Sequence, residues 1–494
     1  MAKNPSVYEI NTRVWLRNFD TENKKAKISD VPFAYWQNLR EKGFDFIWLM
    51  GIWDTSPLVV DDCCFQPFLV ESYSRALKDW DKGDVIGSPY AINKYKFNPA
   101  IGSEKDFILL RKSMNKIGLK LILDFIPNHF SAASELTKTH PDIFLNSTKE
   151  LMEQDPITFF KSYYHKDKYF THGRDPFFPA WTDTIQLNYF NPETIQFMSN
   201  EVVAISDYCD GLRCDMAMLV LNNIFSNTWR GILDESVFPK PKKEFWKIAI
   251  DKVKSVKKNF IFIAEAYWNL EWELQQLGFD YTYDKKLLYR LKDGQPHDIL
   301  EHLRAEEEYQ SKSLRFIENH DEERSVNSLG IEKSFAAALI ISSVRGMKLF
   351  FDGQFSGKRT KLPLQLSRQP REKDIKVVEK FYSKLLKIFN DETFKNGKCR
   401  LLEPLQVHPD NYSSFNILGW QWTLNNETRV IVVNYSPETS QCRIKFSLPQ
   451  NPDSNELEIY DALHDKGYIR YKSEILDNGL FVELGAFQGH IFTF

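Results

Sequence analysis

The sequence predicts an α/β fold: a (β/α)8 TIM barrel, interrupted by an insertion after its third strand and followed by a smaller antiparallel β domain. Two observations lead there. Eight short apolar runs recur along the chain with helix-like segments between most of them, and such alternation builds parallel strands joined by helical crossovers. Charged residues also sit at the C-terminal ends of several runs: Asp124 in LKLILD, Arg213 and Asp215 in GLRCD, Glu265 in FIFIAE and Asp321 in FIENHD. Carboxylates so far apart in sequence meet only if the strands line up in parallel, and barrel enzymes carry their chemistry at that end.

The eight runs cover 6–16, 44–50, 119–127, 211–216, 260–266, 279–284, 314–321 and 347–354. Several are near-continuously apolar, as strands buried on both faces are. Helices are expected over 31–43 and 103–118, each closing on a glycine, the second opened by a Ser103–Asp106 capping box. A long loop holds 83–103, and about 80 residues (128–210) separate the third strand from the fourth. That is too long for an ordinary crossover and is rich in aromatic residues and histidine, so an inserted subdomain over the barrel mouth is expected. A helix over 372–390 closes the barrel. From about 398 the pattern turns to alternation, with a hairpin signal at Asn425–Asn426. The expected division is 1–129 and 206–395 for the barrel, 130–205 for the insertion and 396–494 for the C-terminal domain.

At 494 residues with 43% hydrophobic side chains, the chain can bury a large core and a second small one. The net charge of -3, from 64 basic and 67 acidic residues, argues against a nucleic-acid partner. The basic run at 240–258 has helical periodicity and reads as a solvated helix face. Six cysteines (63, 64, 209, 214, 399, 442) form no CxxC pair and read as reduced thiols. No stretch reaches 18 apolar residues and the N-terminus lacks an apolar signal segment, so a cytoplasmic protein with no membrane partner is expected. Aromatics at 14% suit core packing and, in a cleft, stacking on sugar rings.

Four short motifs, each at a strand end, fall in one order: DFIPNH (124–129), GLRCD (211–215), Glu265 with Trp268 three residues on, and NHD (319–321). GSPYAINKY (87–95) and DTIQLNYFNPE (183–193) accompany them. Together they resemble the motifs of the α-amylase superfamily, glycoside hydrolase family 13, over Tyr8 to Phe494. The resemblance implies that the C-terminal domain is an antiparallel β-sandwich. It implies a catalytic set of Asp215 as nucleophile, Glu265 as general acid and base, and Asp321 as the third carboxylate, which binds sugar hydroxyls. It implies substrate contacts from Tyr90, His129, Arg213, Trp268, Asn319 and His320. Arg213 lies two residues before Asp215, on the same strand face, where its charge favours an ionised carboxylate. Phe178 and Trp181 are further subsite candidates, and Asp124 reads as support for Arg213.

The sequence departs from the family in three places, one of them Met218-Leu219, where members often carry Lys-His after the nucleophile. Calcium-dependent members carry an Asp in the fifth motif; this chain has Gln186 there, between Ile185 and Leu187. Asn128 alone does not make a site of six to eight oxygens, so no cofactor is expected and the usual calcium site is incomplete. After the eighth strand the chain reads Gly353-Gln354-Phe355, without the common Glu. The expected function is a retaining hydrolase cleaving α-1,4 bonds of maltooligosaccharides or short glucans. The alternatives are an α-glucan transglycosylase (4-α-glucanotransferase or maltosyltransferase-like) or a disaccharide-specific isomerase or hydrolase. A non-catalytic carbohydrate-binding barrel would lack one of the three carboxylates, and all three are present.

Overall fold

The computed structural model describes residues 2–448 and 455–494. Eight parallel strands close into a barrel: β1 (Ser6–Asn11), β2 (Phe46–Met50), β3 (Lys120–Phe125), β4 (Gly211–Cys214), β5 (Ile261–Ala264), β6 (Tyr281–Tyr283), β7 (Ser313–Arg315) and β8 (Met347–Phe351). Seven lie within a predicted run, and β7 starts one residue before its run of 314–321. Sequential strands are neighbours, and β8 returns to pair with β1, Ser6 opposite Lys348. No sheet edge is left in the barrel, so every strand's backbone groups pair.

Strands β2, β3 and β5 are buried along their whole length or nearly so, which explains their unbroken apolar sequence. The expected capping box starts helix Glu104–Lys116: the Ser103 hydroxyl accepts from the Asp106 N–H, and Asp106 accepts from the Ser103 N–H at 2.8 Å. Gly118 and Gly43 then take positive φ, where a Cβ is disfavoured, and turn the chain into β3 and toward β2. The predicted strands at 6–16 and 314–321 are longer than those observed. After Asn11 the chain turns into short helices, and after Arg315 it leaves the sheet as a buried irregular segment.

The long excursion after β3 begins as an antiparallel pair, His129–Ser131 with Thr184–Gln186. A three-stranded sheet from Asn146–Ser147, Phe159–Lys161 and Tyr169–Thr171 lies within it. Helix Pro192–Ile205 then packs on helix Phe245–Val256 and leads back to β4.

The C-terminal domain has a six-stranded and a three-stranded antiparallel sheet. Strands Ile417–Leu424 and Glu427–Asn434 pair with Leu424 opposite Glu427, closed by the expected Asn425–Asn426 turn with Asn425 at φ +53°. Trp420 and Trp422 alternate with polar residues and are both buried. The Trp422 Nε1–H donates to the Ser343 carbonyl at the end of helix Ile331–Ser343, and the Tyr435 hydroxyl donates to the Leu291 carbonyl at 2.5 Å. The domain is thus fixed to the barrel wall by Trp422 and Tyr435, whose polar ends are satisfied, whereas the Trp420 Nε1–H has no partner. Among the described residues, no helix is long and apolar enough to cross a membrane.

Candidate active site

Strand register sets the site. Asp124 pairs across from Arg213, and Arg213 across from Ile263. Asp215 and Glu265 each lie two residues beyond that level, so both emerge on the same rim. The Asp215 N–H donates to the Phe125 carbonyl and the Glu265 N–H to the Cys214 carbonyl, extending the ladder by one residue on each strand. Met216 follows at φ +41°, reversing the chain so that its N–H donates to Glu265 Oε2 at 2.7 Å.

Arg213 is the centre of the arrangement and is buried. Its Nη1 donates to Asp215 Oδ1 at 2.7 Å. Its Nη2 lies 2.8 Å from Glu265 Oε2 as a charge contact. Nη1 also lies 3.7 Å from Asp124, and Nε donates to the Tyr283 hydroxyl at 3.2 Å. Aromatic rings of Trp48, Tyr90 and Tyr283 face the guanidinium at 5.1–5.6 Å. A planar cation on aromatic faces tolerates burial better than an ammonium would.

Glu265 has a third partner that the motifs did not indicate: the Tyr267 hydroxyl donates to Oε1 at 2.5 Å. Asp321 stands apart from the guanidinium. Its Oδ2 lies 3.0 Å from His320 Nε2, and its side chain, 37% exposed, is the most open of the three carboxylates. His320 Nδ1 in turn meets Glu9 Oε1 at 2.5 Å, and Nε2 also meets the Tyr90 hydroxyl at 2.9 Å. Glu9 comes from β1 and was missed by the motif reading. An acid among apolar residues of a strand predicted to be buried was the available signal.

These contacts set the charges. For His320, burial acts to lower the pKa, but Asp321 and Glu9 overcome it and raise it to about 10, so the ring is an imidazolium. For Asp321, burial acts upward, and the adjacent His320 reverses this and holds the carboxyl well below the usual range. Burial raises Asp215 despite the Arg213 contact, with Glu265 and Asp124 adding to the rise. Burial likewise raises Asp124 to about 6, opposed by Arg213. Neither Asp124 oxygen has a hydrogen-bond partner, so its link to Arg213 is through charge. Burial lowers His129 to about 3, which leaves it neutral.

The remaining predicted residues fall as follows. Tyr90 lies over Arg213 and stacks on His320, ring centroids 5.6 Å apart. His129 is buried beside Asn128, with the Trp181 ring packed edge-on at 5.3 Å. Asn319 is buried, and its Oδ1 accepts from the N–H groups of Asp321 and Glu322, so this oxygen shapes the turn that presents Asp321. Trp268 and Asn269 both hold positive φ, +62° and +66°, a cost of about 1–3 kcal/mol each. That turn sets the Trp268 indole edge-on against Phe177 at 5.0 Å, although Phe177 and its neighbour Phe178 are 67% and 69% exposed. Gln354 is buried and donates to the Tyr382 hydroxyl at 2.9 Å, so it supports the end of β8.

The place where the fold family implies calcium is filled by an amide. Gln186 Nε2 donates to the Asn128 carbonyl, to Asn128 Oδ1 and to the Leu187 carbonyl, each at 3.0 Å. Three oxygens aimed at one point would suit a hard cation, but an N–H donor group occupies that point. The residues present do not fit calcium, and the usual site is incomplete.

A closed parallel barrel with carboxylates clustered at its C-terminal rim has the layout of a barrel enzyme. The comparisons agree. The family model described as "Alpha amylase, catalytic domain" matches residues 36–400. The chain belongs to that family, the α-amylase superfamily of glycoside hydrolases, and is an α-glucan-active enzyme of the hydrolase and transferase kind. Alpha-amylase 3 of Dictyoglomus thermophilum is 22% identical over 442 residues, covering 77% of this chain and 79% of the relative. The cyclomaltodextrin glucanotransferase of Geobacillus stearothermophilus is 24% identical over 302 residues, covering 58% and 40%. In structure, the maltogenic alpha-amylase AmyB from Thermotoga neapolitana superposes with a TM-score of 0.68 at 20% identity, over 100% of this chain and 99% of that one.

Proposed function

We propose that the enzyme cleaves α-1,4-glucosidic bonds of maltooligosaccharides or short glucans with retention, through a covalent glycosyl-Asp215 intermediate. The observation that carries this reading is that Asp215 and Glu265 share one guanidinium. Groups on adjacent nitrogens of one side chain stand close together, as retention requires: about 5–5.5 Å, against 6.5 Å or more for inversion. In the first step an Asp215 oxygen attacks the anomeric carbon. The bond to the leaving oxygen breaks, and Glu265 gives that oxygen its proton. In the second step water or a sugar hydroxyl attacks the same carbon, its proton passes to Glu265, and Asp215 leaves as carboxylate. Arg213 favours the ionised nucleophile that burial opposes. Asp321, kept anionic by His320, accepts hydrogen bonds from sugar hydroxyls and stabilises positive charge developing on the ring.

Transfer to a sugar acceptor is the second reading, favoured by the Trp268–Phe177 pair. Apolar rings at the mouth stack on a sugar and compete with water for the intermediate. The relatives include a cyclomaltodextrin glucanotransferase. A maltooligosaccharide ladder with Asp215→Asn as control separates the two. Shorter sugars with new reducing ends mean hydrolysis; longer sugars with reducing ends conserved mean transfer. The transfer reading expects Trp268→Ala to lower the yield of longer products several-fold with less effect on total turnover. No cleavage of any ladder member would reject the proposed substrate class.

A further inference from the structure

In the C-terminal domain, at the turn between strands Glu456–Asp461 and Lys466–Tyr471, three side chains of metal-ligating type converge. Asp461 Oδ2 meets His464 Nδ1 and His490 Nδ1, each at 2.6 Å. All three atoms lie within 4.8 Å of one another. Among the described residues, this is the one group of three or more His, Cys, Asp or Glu side chains placed in that way. It forms no part of the active site.

The surroundings hold the ligands in place. Asp461 is wholly buried, and its other oxygen accepts from the N–H groups of Leu463 at 3.0 Å and Ile491 at 3.3 Å. That fixes the carboxylate plane and leaves Oδ2 for the histidines, as outer partners do in metal centres. His490 stacks on Phe492, ring centroids 5.0 Å apart at 24°. His464 sits on the turn, partly exposed, next to Asp465 at φ +55°. An ion pair from Asp465 to Lys384 ties the turn to barrel helix Lys376–Phe389.

We propose that Asp461, His464 and His490 form a binding site for a borderline divalent metal of the zinc class, linking this turn to the final strand. Two imidazole nitrogens and one carboxylate oxygen suit zinc, cobalt or nickel and leave a fourth position for water. Calcium and magnesium, which take oxygen ligands, are disfavoured. Tetrahedral ligation at about 2.0–2.1 Å spaces ligand atoms about 3.3 Å apart, so the present contacts must open by about 0.7 Å. His464, on its exposed turn, is the ligand free to move. Ligation needs neutral imidazoles, so affinity falls as pH drops.

The test uses the full chain, stripped with chelator and dialysed, then titrated with zinc sulfate under calorimetry and thermal melting. The expected result is one zinc per chain at micromolar or tighter affinity, a melting temperature raised by several degrees, and no response to calcium. His464→Gln, on the exposed turn, should fold normally and bind at least tenfold more weakly. His408→Gln, at an exposed His–Asp pair elsewhere, should bind as the wild type does. The proposal is overturned by no uptake at 100 μM zinc, by binding unchanged in His464→Gln, or by an equal calcium response.

Discussion

Glu9 shows how one side chain sets the charge of another across the barrel. It lies on β1, reaches His320 beyond β7, and leaves its second oxygen without a hydrogen bond. His320 carries its positive charge only because Glu9 and Asp321 outweigh burial. Its folded pKa is above the ordinary value. Its contribution to stability is therefore complete below about pH 6.5 and is lost as the pH rises through about 10. Glu9→Gln removes one of the two balancing charges. It should cost about 3 kcal/mol in urea unfolding at pH 7, as breaking a buried pair does, and should move the alkaline limb of the stability profile to lower pH. An unchanged limb would mean that Asp321 alone charges the ring. In the proposed reaction Asp215 must be ionised to act, so its raised carboxyl has the opposite sense. The acid limb of kcat/KM should lie above the ordinary aspartate value of about 3.9, and a limb at or below 3.9 would contradict this.

Among the elements, the loop after β3 replaces a metal with an amide. Gln186 joins the two strands at the base of the excursion through three hydrogen bonds, two to Asn128 and one to Leu187. Gln186→Ala leaves Asn128 Oδ1 and the Leu187 carbonyl without this donor, while the Asn128 carbonyl keeps the Leu187 N–H at 3.1 Å, and should cost about 2–4 kcal/mol, counting about 1 for each lost bond and more for a stranded acceptor. Thermal melting of the wild type should not respond to millimolar calcium. A calcium-dependent rise would contradict the assignment. The sequence already carried this departure, since Gln186 stands where an acid would be expected. It did not carry the way Nε2 fills the space, which depends on two segments nearly 60 residues apart. The eight strands were legible because barrel strands are buried on both faces. The ends of β1 and β7 were read too long because apolar character continues into the buried rim, where pairing stops but burial does not. Tyr267 was passed over in favour of Trp268 because spacing alone does not say which ring turns toward Glu265; the positive φ of Trp268 decides it.

For the molecule as a whole, the proposed catalytic carboxylates and the anchorage of the C-terminal domain sit at opposite ends of the barrel. Ser343, which accepts from Trp422, lies just before β8 begins, whereas Asp215, Glu265 and Asp321 lie beyond the strand ends. Trp422→Ala should therefore lower stability by about 3–5 kcal/mol through lost burial and leave kcat at 25 °C nearly unchanged. A large fall in kcat with the fold intact would show that the domain reaches the site. The layout of barrel, excursion and β domain was readable from periodicity and turn signals, and the carboxylates from their strand-end positions. The Glu9–His320–Asp321 relay was not, because its members come from strands over 300 residues apart and only barrel closure brings them together. The central claim is that Asp215 takes the glycosyl group. The direct measurement is mass spectrometry of the Glu265→Gln variant after reaction with a fluorinated α-glucosyl donor. The account predicts one added sugar on the peptide carrying Asp215; no adduct, or a sugar carried by Asp321, would contradict it.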